Sequence, residues 1–340
     1  MVRSEFNVSR LNEQTATNIF YKLYGIVGTA TAMQGELDFN YRIHSTEGSY
    51  ILKVSRPDAD EQFIEFQTDI LNYIEQFPSD ITAPVVMRNK QGSFVSSIVD
   101  KEGNIRYVRL YTWIEGSLWS SVSPHTDKLL YSLGKESAKL TKLLHGYDHP
   151  VAHREFEWDI SQAEWTIKYV DLLDADIRHI ARHFQERFLE SRHLLATLRK
   201  GVVHNDANDR NIIVSHNPAE QVVLSIIDYG DAIYTELINN LAVTVAYAVM
   251  EKPEPLQAAL PVIKGYHEQF PLEEGELTLL HMLVAMRLVI SLTKSAINKE
   301  KEPDNTYLQI SEEPAKELLQ KWYEADGLLA LSVFRKASSY

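Results

Sequence analysis

The chain has 340 residues, with 34 Lys and Arg against 47 Asp and Glu, a net charge of −13, and no cysteine. The missing cysteine excludes disulfide scaffolds, thiolate metal sites, iron–sulfur clusters and cysteine nucleophiles. The acidic balance argues against nucleic acid or an anionic membrane as the main partner, because both are met by basic surfaces.

Hydrophobic residues make up 44% of the chain, which is ordinary for a globular protein, and the length suggests two domains or lobes. The N-terminus lacks the apolar stretch of a signal peptide. The longest apolar runs, 241–250 and 282–292, are short or carry Arg287, whereas a span needs roughly 20 apolar residues. A cytoplasmic protein without membrane or nucleic-acid partners is expected. In chain order, Leu11, Thr15, Ile19, Phe20 and Leu23 recur at helical spacing and predict an amphipathic helix over 10–24. Residues 26–34, 40–44 and 49–54 are short and rich in β-branched and aromatic side chains, and Thr46-Glu47-Gly48 joins the last two as a hairpin. Helical spacing returns over 60–76, and 84–88 and 105–113 read as strands with 93–100 between them. Beyond Gly116 the pattern is mainly helical: 125–145, then 159–172 and 176–198 with Asp174 as a cap between them, then 236–250, 255–269, 274–298 and 312–325. A strand-like insert covers 201–214 and 221–228. The chain therefore divides near 112–117, into a β-rich part over 1–112 with an extra N-terminal helix and a helical part over 113–340.

The insert carries the chemistry. Val202-Val203-His204-Asn205-Asp206-Ala207-Asn208-Asp209-Arg210-Asn211-Ile212-Ile213-Val214 sets a His, two Asp and polar amides between apolar flanks. Buried flanks hold such a loop rigidly, as positioned polar groups require. Asp206 and Asn211 are five apart, His204 precedes Asp206 by two, and Asp228-Tyr229-Gly230-Asp231 begins seventeen residues after Asn211. His204 and Asp206 alone would read as a structural hydrogen-bonded pair; it is the following Asn211 and Asp228-Tyr229-Gly230 that turn the reading toward catalysis.

The two motifs together resemble the catalytic and metal loops of the protein-kinase-like superfamily, H-x-D-x-x-x-x-N followed by D-[FYW]-G. The resemblance implies an α+β, bilobal protein-kinase-like fold, with a small antiparallel β-sheet N-lobe, a larger mainly helical C-lobe and a nucleotide between them. By the same resemblance Asp206 orients an acceptor hydroxyl and takes its proton, and His204 braces the loop. Asn211 and Asp228 would supply oxygen ligands suited to Mg²⁺. Lys53, in the apolar strand Tyr50–Val54, would pair with nucleotide phosphates. Its partner on the following helix falls at Gln67, with Glu65 the nearest acid upstream and Asp69 two residues further on. The backbone of Tyr111–Ile114, with Tyr111 and Trp113, is the candidate contact for the base.

No G-x-G-x-x-G or G-x-x-x-x-G-K-[ST] is present, and no A-P-E-type peptide platform follows Gly230. Asn208 stands where protein kinases carry a Lys. These departures point to the aminoglycoside phosphotransferase and choline kinase-like family, within which the chain resembles the subgroup of hydroxylysine kinases, type II homoserine kinase-like proteins and kinase domains fused to class III aminotransferases. That resemblance implies a kinase using ATP or GTP with Mg²⁺ on a small-molecule acceptor: an amino alcohol, a hydroxylated amino acid or an aminoglycoside. Asp231, Asn208 and Asp209 are the candidate acceptor contacts, with Asp231 equally open as a cap. Arg287, inside an apolar helix, reads either as a buried paired charge or as a substrate contact. The rival readings are a non-catalytic nucleotide-binding protein of the same fold and a protein kinase.

Overall fold

In a computed structural model, residues 10–35, 38–77, 81–301 and 312–338 are described, and they divide into two compact units. The first is drawn from 1–78 and 83–115, the second from 79–82 and 116–340.

The first unit opens with α1 (Glu13–Tyr24), capped by Asn12, whose side chain accepts the Thr15 N–H, and ended by Gly25 in the left-handed region at φ 78°. The sheet that follows has the order β1-β2-β3-β5-β4, all antiparallel: β1 (Gly28–Met33), β2 (Asp38–Ser45), β3 (Gly48–Ser55), β4 (Ser96–Val99) and β5 (Ile105–Thr112). Helix α2 (Glu61–Glu75), capped by Asp60, lies in sequence between β3 and β4. Strand alternation separates the chemistry. Tyr50, Leu52, Val54, Val108 and Leu110 join Ala16 and Phe20 of α1 in one core. The intervening positions carry Lys53 and Arg109, which face each other across β3 and β5. Pro84–Arg88 is not a full strand. β4 occupies the free edge of β5 from Ile105 to Val108, so this segment meets only the remaining stretch, through the Val86–Tyr111 bridge and bonds from Thr112 N–H to Val85 O and Met87 N–H to Leu110 O.

The second unit is mainly helical. It contains β6 (Ser117–Leu118), α3 (Asp127–Leu144), α4 (Ala175–Leu195), β7 (Lys200–Val203), β8 (Ile212–Val214), β9 (Val223–Ile226), β10 (Ile233–Glu236), α5 (Ile238–Ala248), α6 (Pro255–Gln269), α7 (Glu274–Lys301), α8 (Glu312–Glu324) and α9 (Gly327–Ala337). The expected α-helix over 159–172 is instead 3₁₀ from Ile160 to Leu172. Of its buried residues, Ile160, Ala163 and Thr166 recur every three positions, the period at which 3₁₀ side chains eclipse, and Val170 follows four later. Asp174 occupies the N-cap position of α4 without a side-chain cap bond, because its carboxylate binds Lys316 at 3.0 Å. By length and composition α7 could cross a membrane, but 83% of its most apolar window is buried within the unit, and it serves as a core helix. Helices α3 and α6 approach closely at Gly134 and Gly265: a Cβ on Gly134 would lie 1.9 Å from Val262 O. Short strands β6, β8 and β9 form one ribbon, and β7 pairs with β10 in another.

Candidate active site

The polar insert folds as a loop between β7 and β8, pinned from below. Asn205 takes φ 66° and its N–H donates to Asn240 Oδ1 (3.3 Å). The Asn240 amide in turn donates to Ser137 Oγ (3.1 Å) and Thr141 Oγ1 (2.9 Å) on α3. His204 is buried. It accepts the Asp206 N–H at Nδ1 (3.2 Å) and meets Ile227 O through Nε2 (3.1 Å), so the neutral Nε2–H tautomer satisfies both ends. Burial pushes its pKa down to about 4, only partly opposed by Asp228 and the Ile227 carbonyl. His204 thus ties the loop to the strand end that carries Asp228.

Asp206 is the focus. Its Oδ2 accepts the amides of Asn211 (2.7 Å) and Asn208 (3.0 Å), and its Oδ1 lies 3.2 Å from Arg287 Nη2. Burial and the neighbouring Asp231 push its pKa well above the usual carboxylate range; the Arg287 guanidinium opposes this, and Asp228 adds to it. Asn211 also donates to Asp206 O (3.0 Å). The NH₂ end of its amide therefore points to Asp206, which leaves Oδ1 as the end able to serve a cation. Asp228 is exposed at the end of β9, at φ 66°, a strained conformation for a non-glycine residue, of the kind that clusters at functional sites. Among the described residues no three His, Cys, Asp or Glu side chains form a ready-made metal cage. The available donors, one amide oxygen and one carboxylate, suit Mg²⁺, which retains waters and takes substrate phosphate oxygens rather than an all-protein shell.

Other expected site residues distribute differently. The Asn208 side chain is engaged within the loop: its amide donates to Asp206, and its Oδ1 accepts the N–H groups of Arg210 (2.9 Å) and Asn211 (3.1 Å), so it braces the turn. Asp209 is half-buried, with its pKa raised by burial against the opposing Arg210 charge, and its carbonyl accepts the Ser120 N–H (3.0 Å). The cap of the turn at 229–231, which contains Asp231, is Asp228, which accepts the Gly230 N–H (3.3 Å). Arg154 braces the same turn through Ala232 O (2.7 Å) and Gly230 O (3.4 Å).

In the first unit, Gln67 is buried and its Oε1 accepts from Arg109 Nη1 at 2.5 Å, while Asp38 Oδ2 meets Arg109 Nη2 at 2.5 Å. The helix side chain aligned with a lysine partner is therefore held by a different cation. With Asp38 already balancing Arg109, a neutral amide suffices at position 67. Glu65 is exposed. Tyr111 is a buried ring of β5, and Trp113 lies under the Arg42 guanidinium, 4.0 Å from its ring centroid. The N–H groups of Thr112 and Trp113 already donate to Val85 O (2.9 Å) and Ser49 O (3.0 Å). Sequence reasoning missed Asn240, Trp158 and Arg154 and left Arg287 open. Two adjacent Asn residues inside the apolar helix α5 were the available signal, since Asn is a poor helix former and is buried only when hydrogen-bonded.

A model of the phosphotransferase enzyme family matches residues 29–274. Hydroxylysine kinase from Danio rerio is 28% identical over 329 residues, covering 92% of each chain. Among solved structures, the microcompartment-associated aminopropanol kinase superposes with a TM-score of 0.74 at 18% identity, covering 93% of this chain and 99% of that one. The amicoumacin kinase hAmiN, solved with AMP-PNP, Ca²⁺ and Ami, superposes with a TM-score of 0.69 at 16% identity, covering 91% and 93%. These similarities establish the bilobal, kinase-like α+β fold.

Proposed function

This chain belongs to the phosphotransferase enzyme family, and from that premise we propose that it transfers the γ-phosphate of ATP, with Mg²⁺, to the hydroxyl of a small amine-bearing alcohol of the hydroxylysine type. It is a small-molecule kinase with an alcohol group as acceptor. The observation that carries the finer reading is the set of bonds on Asp206: both carboxylate oxygens are held, yet the side chain remains 19% exposed. A carboxylate fixed in this way can orient a hydroxyl and accept its proton as the oxygen attacks the γ-phosphorus and the bond to the β–γ bridging oxygen breaks. Bound Mg²⁺ would neutralise phosphate charge; Asn211 and Asp228 are the residues that would hold it. Lys53 would pair with nucleotide phosphates, and His204 keeps the loop in register.

Support for the amine comes from charge. Asp231 and Asp228 both act electrostatically on Asp206, which makes the second unit's site acidic and favourable to an ammonium group. The relatives named above act on hydroxylysine and aminopropanol, both of which carry an amine and a hydroxyl. Asp231 is the residue we assign to the acceptor ammonium. The test is a coupled nucleotide-consumption screen over hydroxylysine, homoserine, ethanolamine, choline and aminoglycosides, with ATP and GTP in parallel. Mg²⁺-dependent turnover highest with hydroxylysine and ATP is the expected result. Turnover confined to aminoglycosides, or to GTP, overturns the finer assignment, and phosphate transfer only to protein acceptors overturns the small-molecule reading.

A further inference from the structure

Arg287 sits in the middle of α7 among apolar residues, 81 positions from the loop it touches. Its guanidinium meets Asp206 Oδ1 at 3.2 Å through Nη2 and Trp158 O at 3.0 Å through Nη1. It lies 4.7 Å from the Trp158 ring centroid and 5.6 Å from that of Tyr247. The Trp158 carbonyl is shared: Asn205, the residue before Asp206, also donates to it at 3.5 Å. Asp206 is thus gripped from two sides, Oδ2 by the amides of its own loop and Oδ1 by a helix of the core.

We propose that Arg287 is a positioning residue of the transfer reaction, holding Oδ1 of Asp206 so that the carboxylate presents a fixed oxygen to the acceptor hydroxyl. The inference rests on the reading of Asp206 as the general base. Burial decides between the two roles open for this arginine. Its side chain is 2% exposed against 19% for Asp206, so Asp206 reaches an acceptor and Arg287 does not. Stability alone is a poor reason to keep the charge, because a hydrophobic residue of similar volume commonly replaces a buried ion pair at no loss. The two-pronged guanidinium, with one prong on the carboxylate and one on the Trp158 carbonyl, fixes orientation as a lysine cannot.

The test compares Arg287→Met, Arg287→Lys, Arg287→Ala, Asp206→Asn and the Asp206→Asn/Arg287→Met double variant by kcat, KM for each substrate, nucleotide affinity and Tm. Arg287→Met is expected to lower kcat by about 100-fold, the order of loss from a misplaced catalytic group, with nucleotide affinity within about twofold of wild type. In the Asp206→Asn background the same substitution should cost nothing further, because the residue acts through Asp206. Free guanidinium should restore part of the rate of Arg287→Ala and leave wild type unchanged. If Arg287→Met does not fold, Arg287→Lys decides: a kcat about tenfold below wild type with unchanged nucleotide affinity supports the role, and wild-type kcat overturns it. Equal losses in both backgrounds, or a raised acceptor KM at unchanged kcat, also overturn it. Asp206→Asn turning over like wild type overturns the general-base reading together with this one. An inactive Asp206→Asn beside a fully active Arg287→Met overturns this one alone.

Discussion

Replacing Asn208 by Ala removes three contacts with different consequences. Two are bonds accepted from the Arg210 and Asn211 N–H groups, at 2.9 and 3.1 Å. These donors lie in a half-buried loop, so water recovers part of each bond, and the residual cost is below ~1 kcal/mol apiece. The third is the amide donated to Asp206 Oδ2 at 3.0 Å, a bond to a charged group worth about 1.5–3 kcal/mol. Asn211 still holds the same oxygen at 2.7 Å. The loss should therefore fall at the lower end, a kcat reduced roughly tenfold if it is felt in the transition state. Asn208→Asp keeps the acceptor for the two backbone N–H groups but sets a second carboxylate against Asp206. It should lower kcat further, by about 100-fold. The assay is coupled nucleotide consumption at saturating hydroxylysine and MgATP, with Tm measured beside it. An Asn208→Ala enzyme within about twofold of wild-type kcat, or an Asn208→Asp enzyme more active than Asn208→Ala, refutes the bracing role.

Gly134→Ala should destabilise the second unit, because the new Cβ would meet the Val262 backbone at 1.9 Å and α3 and α6 must part. About 2 kcal/mol is expected after the intrinsic helix preference of Ala is set against the overpacking, and a Tm equal to or above wild type contradicts it. His281 is buried against Trp322, its ring stacked at 5.2 Å and its Nε2 bonded to Trp322 O (3.1 Å), and burial pushes its pKa down to about 4. Between the ordinary value near 6.5 and 4 the unfolded chain binds a proton that the native chain does not. Stability should therefore fall as pH drops through that window, by up to about 3 kcal/mol for this one group. His281→Gln, which keeps a donor without titrating, should flatten the Tm profile between pH 7 and 5; an unchanged slope is the contrary result. Arg109→Met should cost about 3–5 kcal/mol by leaving Asp38 unpaired, and adding Asp38→Asn should recover part of the lost Tm. Additive losses in that double variant would show that the pair is not the source.

The candidate catalytic loop was legible because phosphoryl transfer would demand particular side chains at particular spacings, and Asp206, Asn211 and His204 do meet in space. The amphipathic helices and the hairpin were legible from periodicity. What local pattern could not reveal was set by tertiary context. The 84–88 segment has strand composition, but β4 already occupies half of the edge it would join. The 160–172 segment has apolar residues that fit either helical period, and only packing selects 3₁₀. Gln67 aligns by position with a lysine partner, and its bond to Arg109, 42 residues on, has no local signature. Arg287 is separated from Asp206 by 81 residues, and nothing in its own helix announces that contact. Helix α9 escaped notice because Leu328 and Leu329 are exposed and blur the apolar stripe.

We assign Asp206 to a phosphoryl transfer onto a small amine-bearing alcohol. The most direct measurement is steady-state MgATP consumption with hydroxylysine by wild type and Asp206→Asn, with nucleotide affinity determined for both. Wild type should show hydroxylysine-dependent turnover, and Asp206→Asn should lose at least about 100-fold of it with nucleotide still bound. Hydroxylysine-dependent turnover that survives intact in Asp206→Asn would contradict the assignment.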